Sequence, residues 1–185
     1  MSANDDQSAA PFDWLREVPA PHPSRLPIKR LDADCKLTMT RRTGPGGQHR
    51  NKTSTAVVLL HQPTEVLAEA SESRSQAKNR EQAMMRLRMT LAVVVRCREV
   101  TGDAETELRQ RHAGRQVWVA ERNADRPAVF SLVLDDAWAA EGDLQAVAKA
   151  WRTTASQLLR LLRSYPPALD YLNRMRASFG QRPLR

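Results

Sequence analysis

The chain has 185 residues, of which 41% are hydrophobic and 27% charged, and its net charge is +8. That length supports one or two small domains with a buried core. No apolar run approaches the roughly 20 residues that span a bilayer. The N-terminus carries Asp5 and Asp6 without an apolar stretch, which is not a secretory pattern. A cytoplasmic protein with no membrane partner is therefore expected. Cys35 and Cys97 lie far apart and are expected as free thiols, since a structural disulfide does not suit that compartment. The charge is uneven: residues 25–98 hold 15 Lys/Arg against 6 Asp/Glu, while residues 99–185 hold 13 against 11. Concentrated positive charge suggests a polyanion partner, because lysines and arginines gain affinity by displacing condensed counterions.

Residues 1–27 contain Pro11, Pro19, Pro21, Pro23 and Pro27 and predict a disordered or loosely docked leader, with Phe12 to Leu15 docking locally. Residues 28–43 alternate Leu37, Met39 and Arg41 with Lys36, Thr38, Thr40 and Arg42, which predicts a strand. It feeds Arg41-Arg42-Thr43-Gly44-Pro45-Gly46-Gly47-Gln48-His49-Arg50-Asn51-Lys52-Thr53, a loop because three glycines and a proline within four positions suit neither a helix nor a central strand. It is neither a Walker loop nor a dinucleotide-binding fingerprint. From the residues alone it is a basic-flanked, polar-tipped loop suited to an anionic backbone.

Ser54–His61 is apolar and β-branched, a second strand; Pro63-Thr64 turns the chain; Glu65–Ala70 alternates as a third strand. Ser73-Arg74-Ser75-Gln76 has capping-box spacing, and Ala83, Met84, Leu87, Leu91, Val94 and Val95 predict a helix from about Ser75 to Glu99. Residues 100–124 are expected as a linker, with Gln116-Val117-Trp118-Val119 a candidate short strand. Asp125 and Asp143 are expected to cap two helices, and Thr154 a third. The pair on either side of Thr153-Thr154 resembles a helix-turn-helix. Pro166-Pro167 ends that helix, and Leu169, Leu172, Met175 and Phe179 predict one more.

The run Thr43 to Thr53 resembles the Gly-Gly-Gln loop of class I peptide chain release factors, and of the single-domain, codon-independent peptidyl-tRNA hydrolases that rescue stalled ribosomes. The likeness continues in one register. Ala56 to Thr64 resembles the family's next strand and His-x-Pro-Thr turn; Arg74 to Arg80, with Ala83 and Leu87, resembles the start of its long helix. It covers roughly residues 28–98. Glu65 stands where the family usually has glycine, and Arg50 where it usually has an apolar residue.

The resemblance implies an α+β fold, a small β-sheet packed by a long helix, followed by a C-terminal all-α region. The expected divisions are a leader at 1–27, a catalytic domain at 28–99, a linker at 100–124 and a helix-turn-helix-like region at 125–185. It also implies hydrolysis of the peptidyl-tRNA ester, with Gly46, Gly47 and Gln48 catalytic. Arg41, Arg42, Thr43, His49, Arg50, Asn51, Lys52, Thr53, Arg74 and Lys78 would then contact RNA or the ribosome. Ser75 and Asn79 are open between helix capping and RNA contact. Gln48 is a candidate methylation site, with a glutamine methyltransferase as partner. The main partners implied are large-subunit rRNA and peptidyl-tRNA; the protein is expected to be a monomer with no cofactor.

His49, His61 and His112 have no metal-ligand spacing with the cysteines, so no metal is expected. The short leader leaves no room for a codon-reading domain, which points to release without a stop codon. The family's rescue enzymes end in a lysine- and arginine-rich tail, whereas the last residues here carry Arg174, Arg176, Arg182 and Arg185 and no lysine. The alternatives are an RNA-binding protein without hydrolysis and a helix-turn-helix DNA regulator.

Overall fold

The computed structural model describes residues 14–40, 55–98, 102–114 and 116–185. The leader's Phe12 lies outside them. The described part of that segment, residues 14–27, is not loose: Trp14 and Leu15 pack on the helical core, and β1 (Arg16–Glu17) pairs in parallel with β5 (Val95–Arg96). His22 and Ser24 are fully buried around a 3-10 turn at Pro23–Arg25.

Three strands, β2 (Cys35–Thr40), β3 (Ala56–His61) and β4 (Val66–Ala70), form an antiparallel sheet in that order. Period-two alternation puts Leu37, Val57, Leu59, Val66, Ala68 and Ala70 on the inner face. That face packs on α2 (Gln76–Val94), whose Ala83, Met84, Leu87 and Leu91 recur at helical spacing.

The structure shortens two of the predicted elements. Residues 28–33 form helix α1 (Ile28–Ala33), not strand, and the strand begins at Cys35. Pro27 stands at the N-cap with φ −54°, a dihedral its ring favours, and buried Leu31 anchors the turn. The long helix ends at Val94 instead of Glu99, because Val95 turns extended at the cap and, with Arg96, pairs with β1. Its cap is Ser75, accepting from the Lys78 amide at 3.4 Å; the Ser73 hydroxyl instead accepts from the Ser75 amide at 3.0 Å.

Residues expected as a linker contain α3 (Asp103–His112), with Asp103 and Glu105 in its first turn and Arg109, Arg111 and His112 in its last, the order its dipole favours. Leu108, Val117 and Val119 enter the core, and residues 116–119 pair with no strand. Then come α4 (Arg126–Ala139), α5 (Leu144–Ala150), α6 (Ala155–Arg163) and α7 (Pro166–Ser178). Asp143 and Thr154 cap as expected. Asp125 sits at the N-cap of α4 but its carboxylate takes Arg111 and His112 instead of the helix amides. Pro166 and Pro167 open α7, where a first-turn proline forfeits no hydrogen bond.

Helix α2 is shared. Its sheet-facing side belongs to one core, while Ala92 and Val93 join the larger helical core built on α4, with Phe130, Leu134, Trp151 and Leu158. Between the cores lies a buried ion network. Asp135 accepts from Arg96 at 3.0 Å, from the Cys97 amide at 3.1 Å and from Arg25; Arg25 also reaches Glu105 at 3.3 Å. It ties the N-terminal segment, α3, α4 and β5 together.

Candidate functional site

The glycine-rich run joins the far ends of β2 and β3. Thr40 pairs with Ala56, so residues 41–55 leave and re-enter the sheet at ladder distance, about 4.5–5.5 Å between Cα atoms. Arg41, Arg42, Thr43, Gly46, Gly47, Gln48, His49, Arg50, Asn51, Lys52 and Thr53 all lie outside the described residues.

The base of that connection is held by one buried side chain. Asn79, fully buried near the start of α2, donates from Nδ2 to the Thr55 carbonyl at 2.6 Å and to the Ser73 carbonyl at 2.8 Å. Its Oδ1 accepts from the Ser73 amide at 2.9 Å. Two carbonyls and one N–H permit only this orientation of the amide. The residue therefore splices the exit of the loop to the entrance of the helix, which is neither of the two roles considered for it from the sequence. The signal was legible: Asn79, Ala83, Leu87 and Leu91 recur every four residues, so a polar amide stands on the apolar stripe. Gln76 adds a contact from α2 to the loop's entry strand, its Nε2 lying 3.0 Å from Met39 Sδ.

Arg74 and Lys78 stand exposed beside this splice. Nearby Arg80 pairs with Asp32 at 2.6 Å, and Arg86 with Glu72 at 2.9 Å. Arg74 and Lys78 have no carboxylate partner among the described residues. Ser75 is occupied as the helix cap.

At the opposite end of the sheet, the His61 ring nitrogen Nδ1 lies 2.7 Å from the Thr64 hydroxyl, and both residues are buried. Burial holds His61 below its usual titration range, so it is neutral at physiological pH. Arg16 donates to the Thr64 carbonyl at 2.8 Å. Glu65 follows with φ +55°, the left-handed conformation that glycine adopts without cost. The turn thus keeps the glycine geometry while carrying a side chain. Among the described residues no group of three His, Cys, Asp or Glu could hold a metal, and no helix is long and apolar enough to cross a membrane.

A three-stranded sheet on one long helix, with the glycine-rich run connecting β2 to β3 and a helical layer behind, defines a small α+β module. Residues 25–131, more than half of the chain, match the family model described as the RF-1 domain, and the chain belongs to that family. It is 42% identical over 82 residues to peptide chain release factor 1 of Xylella fastidiosa (strain 9a5c), covering 44% of this chain and 23% of that one. It is 41% identical over 71 residues to the mitochondrial peptide chain release factor 1-like protein of Rattus norvegicus, 38% of this chain and 19% of that one. Over 114 residues it is 34% identical to peptide chain release factor 2 of Yersinia pseudotuberculosis serotype O:1b (strain IP 31758), 60% and 28% respectively. The chain spans about a fifth to a quarter or so of the length of these relatives.

Proposed function

We propose that the protein hydrolyses the ester linking a nascent peptide to tRNA on the ribosome or large subunit, without reading a stop codon. The observation that carries this is the sequence Gly46-Gly47-Gln48 in a connection whose flanks are paired at Thr40 and Ala56 and held at Thr55 by Asn79. The ester is intrinsically labile, so catalysis needs mainly a placed water and a donor for the charge that develops on oxygen. The Gln48 backbone N–H is that donor. Gly46 and Gly47 supply a backbone shape that residues with a Cβ do not reach. The Gln48 side chain restricts which nucleophile enters, and its methylation by a glutamine methyltransferase tunes that fit. The tRNA's own terminal ribose hydroxyl assists.

Arg41, Arg42, Thr43, His49, Arg50, Asn51, Lys52 and Thr53 contact rRNA and tRNA around the tip. Arg74 and Lys78 extend the cationic surface at the splice, free of carboxylate partners among the described residues. Residues 28–99 act as the catalytic unit and 125–185 as a positioning unit, in a monomeric cytoplasmic protein. The helical layer beyond residue 131 packs against α2 and presents arginines, which suits an RNA partner.

The test is peptide release from purified ribosome complexes whose empty A site displays either a stop codon or a sense codon. Equal release from both is expected. Release confined to the stop-codon complex would contradict codon independence.

A further inference from the structure

The helical layer carries one surface that the catalytic reading does not use. Trp118 is 55% exposed, although its neighbours Val117 and Val119 are each 1% exposed. The two valines lock the backbone into the core and leave the indole standing out, so the ring is held in place and not swinging on a loop. The segment is anchored further where Arg126 donates to the Val119 carbonyl and, at 3.1 Å, to the Ser164 carbonyl at the end of α6. The Arg160 guanidinium lies 5.6 Å from the centre of the Trp118 ring.

Arg160 belongs to an exposed stripe. Ser156, Arg160 and Arg163 follow at i, i+4 and i+7 on α6, opposite buried Leu158, Leu161 and Leu162. Helix α6 has no acidic residue. The nearest acid in sequence to Trp118 is Glu121, which acts on Arg126. Helix α6 is also the second helix of the pair that resembles a helix-turn-helix.

We propose that Trp118 and the Ser156–Arg160–Arg163 face bind unpaired RNA, the indole stacking on an extruded base and the two arginines holding the flanking phosphates. An anionic partner follows from the arginines. Unpaired nucleotides follow from the indole, since a base offers its π-face only when it is out of a duplex stack. The proposal shares with the catalytic reading the assumption of an RNA partner, but it does not depend on hydrolysis.

The experiment measures binding of the full chain to a 12-nucleotide unstructured RNA by fluorescence anisotropy across a salt series. Trp118→Ala and Trp118→Leu are each expected to weaken binding on the order of 5- to 100-fold with an unchanged melting temperature, because the ring is exposed. Trp118→Phe recovers most of the affinity. Arg160→Gln lowers the salt slope by about 0.7. The readout is binding to an RNA that carries no ester to hydrolyse, so failure of release chemistry leaves the result standing. Equal binding by the parent, Trp118→Ala and Trp118→Leu would overturn the proposal. So would equal affinity for duplex DNA. Loss of ribosome binding in Trp118→Ala with RNA binding intact would also overturn it, in favour of a protein partner.

Discussion

The sheet unit and the helical layer meet along α2, yet they are held together by different means. The sheet is three strands deep with β2 and β4 at its edges, and its inner face is closed by small and aliphatic side chains on α2. Among the described residues its buried polar anchor toward that connection is Asn79, a neutral amide with three partner groups. The helical layer is larger, includes the buried rings of Phe130 and Trp151, and is bolted to the rest by charges out of water. The difference teaches where precision is needed. A charge network fixes the scaffold globally, whereas the stem of the loop is set by directional hydrogen bonds that specify one geometry at modest energy.

The largest break in this contrast comes from Asp135. Burial pushes its carboxyl up to about 6 even with Arg96 and Arg25 against it, so it is ionised at neutral pH. Asp135→Ala leaves two buried guanidiniums without their carboxylate and should cost about 3–5 kcal/mol, read as a lower urea midpoint. Asn79→Ala should cost less, on the order of 2–3 kcal/mol, by orphaning the Thr55 and Ser73 groups. Its distinguishing effect is on release, which should fall more than the fraction folded does, while Leu108→Ala in the helical layer should lower stability and leave release by the folded protein intact.

A third effect is pH-dependent. His22 donates from Nε2 to the Val95 carbonyl at 3.0 Å, and its Nδ1 accepts from the Ser24 amide at 3.1 Å, an arrangement only the neutral ring can make. Burial, then Arg96 and Arg25, hold its pKa well below 6.5. The unfolded chain binds the proton first, so stability is full above about pH 6.5 and falls as pH drops toward the depressed folded value. Asp135 works in the opposite direction below about 6, where the folded state takes up the proton first. Parent and His22→Gln share Asp135, so their difference isolates His22: below about pH 6.5 the melting temperature of the parent should fall more steeply than that of the variant. The smallest expected change is a gain: Glu65→Gly relieves a left-handed residue at φ +55° and should raise stability by up to about 1 kcal/mol in thermal unfolding.

The same contrast decides what was legible beforehand. Strands β3 and β4, the core face of α2 and helices α4 to α7 follow from hydrophobic patterning and from side chains whose chemistry marks a boundary, such as Asp143 and Thr154. The expected loop itself lies outside the described residues; only its flanks, Thr40 and Thr55, are seen. Helix α1 was missed because the alternation that begins at Cys35 was extended back through a six-residue helix with one buried residue, Leu31. Helix α3 was missed because it is mostly charged and buries only Leu108 and Glu105, so hydrophobic periodicity is weak. The ion network could not be foreseen, since Arg25, Arg96 and Asp135 are far apart in sequence and only tertiary packing joins them. Asn79 carried a local signal, the polar break in an apolar stripe, but its acceptor at Thr55 lies across a strand.

The most direct measurement sets binding beside chemistry for one substitution: ribosome affinity and single-turnover peptide release for the parent and Gly47→Ala, with Gln48 methylated in both. The account predicts equal affinity and a loss of release of about 100-fold or more in the variant, the scale of removing one preorganised donor. Release by Gly47→Ala at the parent's rate, or a parent that occupies the ribosome and frees no peptide, would contradict it.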